Sequence, residues 1–180
     1  MLVKGVTLVE MVVVLVILGI LVAFIAPILS GAVSSYDYTS RNVELLTNMR
    51  YTMERIAREI RSMRRKPVDG GSFDITTMGA SSLEFCRKDG YRVAIALTGG
   101  TRVNIGYTSG FANACSASSP ISVPSTLTDN VSAFSLTYIT ITGGSASSAS
   151  NVAFVDVGLT VTRTGATSYT SAMRVDMRNP

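Results

Sequence analysis

The residues able to do chemistry in this sequence are few, and they stand in two places. Glu10 is a carboxylate at the N-terminal edge of a long apolar run. From Met11 to Leu29 that run carries no charge and no strongly polar side chain, and only Gly19 and Pro27 interrupt it. Ahead of Glu10 come Lys4, Gly5, Val6 and Thr7. A carboxylate in an apolar setting is costly, so its presence asks for a partner. The second place is the thiol pair, Cys86 and Cys115. The chain has no His and no Trp. No His-based zinc site, Ser-His-Asp triad or Cys-His dyad can therefore be built. A phosphate loop of the G-x-x-x-x-G-K-S/T kind and a G-x-G-x-x-G turn after a strand are also missing from the sequence. The expectation is a protein that is not an enzyme and needs no cofactor or metal.

The element that must position Glu10 is a membrane helix. At about 1.5 Å per residue, the run to Leu29 spans roughly the 30 Å hydrocarbon core of a bilayer. A cleaved secretory signal has a shorter apolar core, about 7–15 residues, closed by a small-x-small site. Nothing like A-x-A closes this one before Tyr36. A plain single-pass anchor accounts for the length, but not for Glu10 or for so short a leader. The third reading rests on the order of residues. Lys4, Gly5, Val6, Thr7-Leu8-Val9 and Glu10 resemble the N-terminus of type IV prepilins: a basic residue, Gly, a cut, an apolar residue, three more residues and Glu. Gly19 and Pro27 fall where pilins of this family commonly carry a Gly and a helix-kinking Pro.

The resemblance implies a sequence of events. A prepilin peptidase on the cytoplasmic face would cut between Gly5 and Val6 and methylate the new amine of Val6. Glycine suits the position before the cut, because a side chain there would crowd the scissile bond. Val6 stands where the family most often has Phe. Glu10 would then pair with the positive N-terminus of a neighbouring subunit, offsetting two charges that are each expensive in an apolar bundle. A plain residue lying at headgroup level is the alternative for Glu10. The implied partners are the inner membrane, the peptidase and other pilin or pseudopilin subunits in a helical filament. The head would face the periplasm and later the filament surface.

Further along, the pattern stays helical. A soft patch, Ser30-Gly31-Ala32-Val33-Ser34-Ser35, suggests a bend or local melting after Pro27. From about Ser40, Leu45, Met49, Thr52, Ile56, Ile60 and Met63 recur at spacings of three and four, one face of a helix. Glu54–Arg58 and Arg55–Glu59 read as i,i+4 ion pairs on the other side. Pro67 and Asp69-Gly70-Gly71 are expected to stop the helix. The tract Arg58, Arg61, Arg64, Arg65, Lys66 complements the helix dipole at that end. Contact with DNA is the competing reading, as in some competence pilins, and it is disfavoured because no aromatic residue interleaves with the tract.

After Ser72 the period changes to two. Phe73–Thr77, Ser82–Cys86, Arg92–Leu97, Arg102–Tyr107, Val131–Thr142, Val152–Arg163 and Tyr169–Met177 read as strands. Residues 112–128 read as a surface loop, and Gly143 to Asn151 as a flexible connection. The fold class is therefore α+β: a long N-terminal helix, half membrane and half amphipathic, packed on an antiparallel sheet. Four parts follow: a leader at 1–5, a membrane and assembly helix at 6–29, an amphipathic helix at 30–66, and a β-rich head at 67–180.

An exported head meets an oxidising compartment, so Cys86 and Cys115 are expected to form a disulfide. It would close a loop of about thirty residues and contribute roughly 3–4 kcal/mol in the chain-entropy model. Two free buried thiols are the alternative. The helix Leu45–Arg61, the segment Ser82-Leu83-Glu84-Phe85-Cys86 and the terminal Met173-Arg174-Val175-Asp176-Met177-Arg178-Asn179 are similar to the J/W-type minor pilins and pseudopilins. Among these the chain most resembles the O-type minor pilin of mannose-sensitive haemagglutinin pili. That resemblance implies a structural subunit that primes or tips filament assembly. A type II secretion pseudopilin, a DNA-uptake or adhesin tip pilin and a simply anchored protein are the alternatives.

Overall fold

The structure is a computed structural model and describes residues 5, 7–66, 71–108, 115, 121–163 and 167–177. It divides into two compact units, residues 1–42 and 43–180. Lys4, Val6, the Pro67-to-Gly70 turn, most of the 112–120 stretch and Arg178 to Pro180 lie outside the described residues.

In the first unit the chain is helical from Leu8, the start of helix α1 (Leu8–Arg61). Its β-branched run, Val12-Val13-Val14 and Val16-Ile17, is a poor helix former in water. In a bilayer the helix is favoured because every backbone group must be satisfied within the segment. α1 is long and apolar enough to cross a membrane. Leu15, Leu18, Leu21, Phe24 and Ile28 are all more than half exposed, with no protein surface over them. The melting expected after Pro27 does not occur, for α1 stays helical through Ser35. Hydroxyls support this stretch by bonding back along the helix. Ser30 donates to the Pro27 carbonyl at 3.0 Å, and Ser34 to Ser30 at 2.9 Å.

In the second unit α1 lies on sheet. Leu45, Met49, Thr52, Ile56, Ile60 and Met63, the stripe read from the sequence, are buried, and Met53 and Ala57 are buried beside them. They share one core with residues of two antiparallel sheets. The first sheet has the order β1-β2-β3-β4-β5: β1 (Ile75–Met78), β2 (Ser82–Cys86), β3 (Arg92–Thr98), β4 (Arg102–Thr108) and β5 (Ser125–Thr128). The second is β6-β7-β8: β6 (Val131–Ile139), β7 (Phe154–Val161) and β8 (Tyr169–Asp176). β7 buries every second residue, Val155, Val157, Leu159 and Val161, as a strand with one face on a core must. One sheet was expected and two are present. Asn130, in the left-handed region at φ 56°, turns the chain from β5 into β6 and so from one sheet to the other. Backbone bonds join the two: Leu136 N–H donates to the Ala80 carbonyl at 2.7 Å, and Val131 N–H to the Thr101 carbonyl at 3.0 Å.

Strands read as Phe73–Thr77, Val131–Thr142 and Val152–Arg163 run instead over Ile75–Met78, Val131–Ile139 and Phe154–Val161, and two larger differences stand at the helix end and at β5. α1 ends at Arg61, short of Pro67. The neighbouring sheet captures the backbone before the proline is reached: Arg64 N–H donates to the Cys86 carbonyl at 2.8 Å, and Lys66 N–H to the Ser72 carbonyl at 2.9 Å. β5 was read as part of a surface loop, but Ser125–Thr128 pairs with β4 as an edge strand.

Candidate processing and assembly segment

Thr7 and Glu10 build the start of the helix. The Glu10 N–H donates to Thr7 Oγ1 at 3.3 Å, and the Thr7 N–H donates to Glu10 Oε2 at 3.3 Å. This is a reciprocal capping box, in which the first residue and the one three positions later each satisfy an orphan backbone N–H of the other. The T-x-x-E signature is present in the sequence, yet the sequence reading gave Thr7 no role. Gly5 is exposed just ahead of this turn, with open space around its Cα. The arrangement therefore offers an uncovered glycine peptide, a capped first turn carrying one carboxylate, and then an apolar helix with no protein cover. Gly19 lies in that helix, again with nothing within contact distance of a side chain placed there.

The head holds its charges differently from the sequence expectation. Arg55–Glu59 does form, at 3.2 Å, but not on a solvent face, because Glu59 is only 4% exposed. Glu59 shares the apolar face with Ile56, Ile60 and Met63, and there it gathers three partners. Tyr107 Oη donates to Glu59 Oε1 at 2.8 Å, and Arg87 Nη1 donates to Oε2 at 3.0 Å. Arg55 Nη2 in turn donates to Tyr107 Oη at 2.8 Å. Burial raises the Tyr107 pKa above its ordinary value, and the hydrogen bond from Arg55 opposes that rise. Arg55 itself is held further into its charged form by the Tyr107 bond. Glu54 and Arg58, the other expected pair, are both exposed and make no ion pair with each other among the described residues.

The basic tract does not act as one patch. Arg64 is spent on Asp74, Nε to Oδ2 at 2.8 Å. Arg65 lies over the Phe73 ring, 4.8 Å from its centroid, and donates to the Gly71 carbonyl. Two of the five cations are thus committed within the head.

Cys86 and Cys115 form a disulfide with Cα atoms 5.8 Å apart. Asp74 brings a carboxylate oxygen within 4.8 Å of both sulfurs. Sulfurs bonded to each other offer no thiolate, so this cluster is not a metal site. Beyond Cys115 the chain returns across the sheet: Ile121 N–H reaches Glu84 Oε1 at 3.4 Å, and Asn104 Nδ2 donates to the Val123 carbonyl at 3.1 Å. Gly106 lies so close beneath the Ser122 backbone that any side chain there would collide with it.

Residues 1–26 match the family model of the prokaryotic N-terminal methylation motif. This is a prepilin signal of the type IV pilin kind. The match reaches from the leader into the apolar helix and takes in Gly5, Thr7 and Glu10, whose geometry is given above. No curated protein matches the chain. The prepilin signal supports a pilin-like precursor, and with the apolar helix it supports anchoring in the inner membrane. It implies processing by a prepilin peptidase and membrane association with other pilin subunits.

Proposed function

We propose that this chain is a structural minor pilin or pseudopilin, a subunit of a type IV pilus-like filament. In this reading a prepilin peptidase cuts after Gly5 and Val6 becomes the methylated N-terminus. The bare apolar helix first stores the subunit in the inner membrane and then packs into the filament core, with the head on the periplasmic side. The single observation that carries the reading is the prepilin signal leading into a capped helix whose whole apolar length is uncovered. Glu10 places a carboxylate at that edge, and pairing with a neighbour's new amine relieves both charges. Gly19 and Pro27 are positions at which the helix can yield in the assembled filament. A structural role is supported by the head's buried charges, Glu59 with Arg55 and Arg87 and Glu84 with Arg92, which are held in mutual ion pairs. A low-abundance role at the filament tip, priming assembly, fits the resemblance to the J/W-type subunits.

The test is to delete the gene, count surface filaments, and ask whether the protein is recovered in sheared filament fractions of the complemented strain. Loss of filaments on deletion, with a trace of the subunit in the sheared fraction, is the expected result. Unchanged filaments together with a failure of enzyme secretion would move the subunit to a type II secretion pseudopilus.

A further inference from the structure

At the end of the second sheet the head carries a cleft of about 580 Å³, inside the range of roughly 300–1,000 Å³ where small-molecule sites fall. One wall comes from beside the first sheet, where Arg65 and Phe73 pair antiparallel. The other comes from the chain just past β6, the start of β7 and the end of β8. The sequence reads Gly143 to Asn151 as flexible, yet the turn that leads into it is bonded. Thr140 N–H donates to the Gly144 carbonyl at 2.8 Å, and Gly143 N–H donates to the Thr140 carbonyl at 3.0 Å. Gly143 takes φ 90°, which glycine adopts without strain. A short 3-10 helix, Ala149–Asn151, then brings Ser150 and Asn151 to the cleft.

The lining is amphipathic and balanced in charge. Phe73, Ile141, Val152 and Phe154 supply apolar wall, and Ile141, 80% exposed, is apolar surface that a ligand can cover. Thr140, Thr142, Ser150 and Asn151 supply groups that both donate and accept hydrogen bonds. Arg65 brings a positive charge and Asp176 a negative one. Arg65 is fixed over the Phe73 ring, 4.8 Å from its centroid. Among the described residues it gives one N–H to the Gly71 carbonyl, out of the five a guanidinium carries. A ligand of one sign would satisfy one of these charges and oppose the other. A zwitterion would match both and leave the hydroxyl and amide groups without partners. A wholly apolar ligand would strip water from every polar group and return no hydrogen bond. A sugar ring suits both halves of the lining: hydroxyls donate to Asp176 and accept from Arg65, and the C–H face lies on the apolar wall. We propose that this cleft binds a neutral saccharide, its hydroxyls shared among Arg65, Asn151 and Asp176. The cleft lies wholly within the second unit, so the proposal stands or falls apart from N-terminal processing.

The test uses the full chain in a detergent without a sugar headgroup, lauryl dimethylamine oxide, and saturation-transfer NMR observed on the ligand. The probes are glucose, galactose, mannose and N-acetylglucosamine, with glucose 6-phosphate and serine as charged comparators. At least one neutral sugar should receive saturation at millimolar concentration, most strongly at its ring C–H protons. Asn151→Ala and Asp176→Asn should each weaken binding about tenfold, the loss of one hydrogen bond in a covered site. Asn151 is exposed, so its variant carries the test should Asp176→Asn fail to fold. Ser148→Ala, exposed and outside the lining, should leave binding unchanged. No transfer to any neutral sugar, a preference for glucose 6-phosphate or serine, or transfer undiminished in both variants would overturn the proposal. The bound sugar is then offered free and as the end unit of a bead-linked oligosaccharide. Retention on the beads identifies a surface glycan as the source, and binding of the free sugar alone identifies a solute.

Discussion

Thr7 and Glu10 bond to each other from both sides, with the N–H of each donating to the side chain of the other at 3.3 Å. The carboxylate proposed to meet a neighbour's amine is thus already engaged in its own chain, holding the first turn of the helix. Replacing Thr7 with Ala removes one half of the box at a cost of about 1 kcal/mol. The expected outcome is faster hydrogen exchange, by a factor of about five, at the amides of Leu8 to Glu10 in detergent micelles. Unchanged exchange would show that the cap does not hold that turn.

Glu59 is the buried charge on which the head depends most. It accepts from Tyr107 on β4 and from Arg87 just past β2, and pairs with Arg55 one turn away on its own helix. Glu59→Ala leaves Arg55 without its carboxylate and Arg87 with Asp89 alone, and should cost about 3 kcal/mol. Thermal unfolding of the detergent-solubilised protein checks this. Glu54→Ala, at an exposed position on the same helix, should move the midpoint by little.

Tyr138 predicts how the head responds to alkali. Its hydroxyl is buried, donates to the Gly79 carbonyl at 3.0 Å, and has its pKa pushed up to about 12 by burial. A raised pKa means that the folded state holds the proton more tightly than the unfolded one. The contribution is therefore complete below about pH 10, the ordinary tyrosine value, and is lost as pH climbs toward 12. Tyr138→Phe should lower stability by about 1 kcal/mol at neutral pH and flatten the decline in that alkaline window. Unfolding midpoints recorded from pH 8 to 12 separate the two effects.

The disulfide anchors the strap that crosses the first sheet. Cys86→Ser should cost about 3 kcal/mol, and reduction of the wild-type protein should reproduce most of that loss. Gly106→Ala tests the strap from beneath, since the added methyl meets the Ser122 backbone. It should cost about 1–3 kcal/mol while leaving the disulfide formed, as read by thiol labelling.

The sequence made the helix and most strands legible because each buries one face. The stripe from Leu45 to Ile60 and the alternation in β7 are direct consequences of that. β5 could not be read, because Ser125-Thr126-Leu127-Thr128 is short, polar and at a sheet edge. The division into two sheets was hidden for a similar reason: it turns on the backbone of one residue, Asn130. The role of Glu59 was missed because i,i+4 spacing to Arg55 also describes a solvent pair. Its place between Ile56 and Ile60 on the buried face was the available signal. The helix end was placed too late because Pro67 is a visible stop, whereas capture of Arg64 by the Cys86 carbonyl is a tertiary event. At the N-terminus the order of residue types carried the candidate site almost by itself.

Cleavage after Gly5 is read from the intact mass and N-terminal sequence of protein recovered from membranes. With an active prepilin peptidase the chain should begin at Val6 and carry one added methyl group; without the peptidase it should keep its leader. A protein still beginning at Met1 in cells with an active peptidase would instead be a tethered domain with no part in a filament.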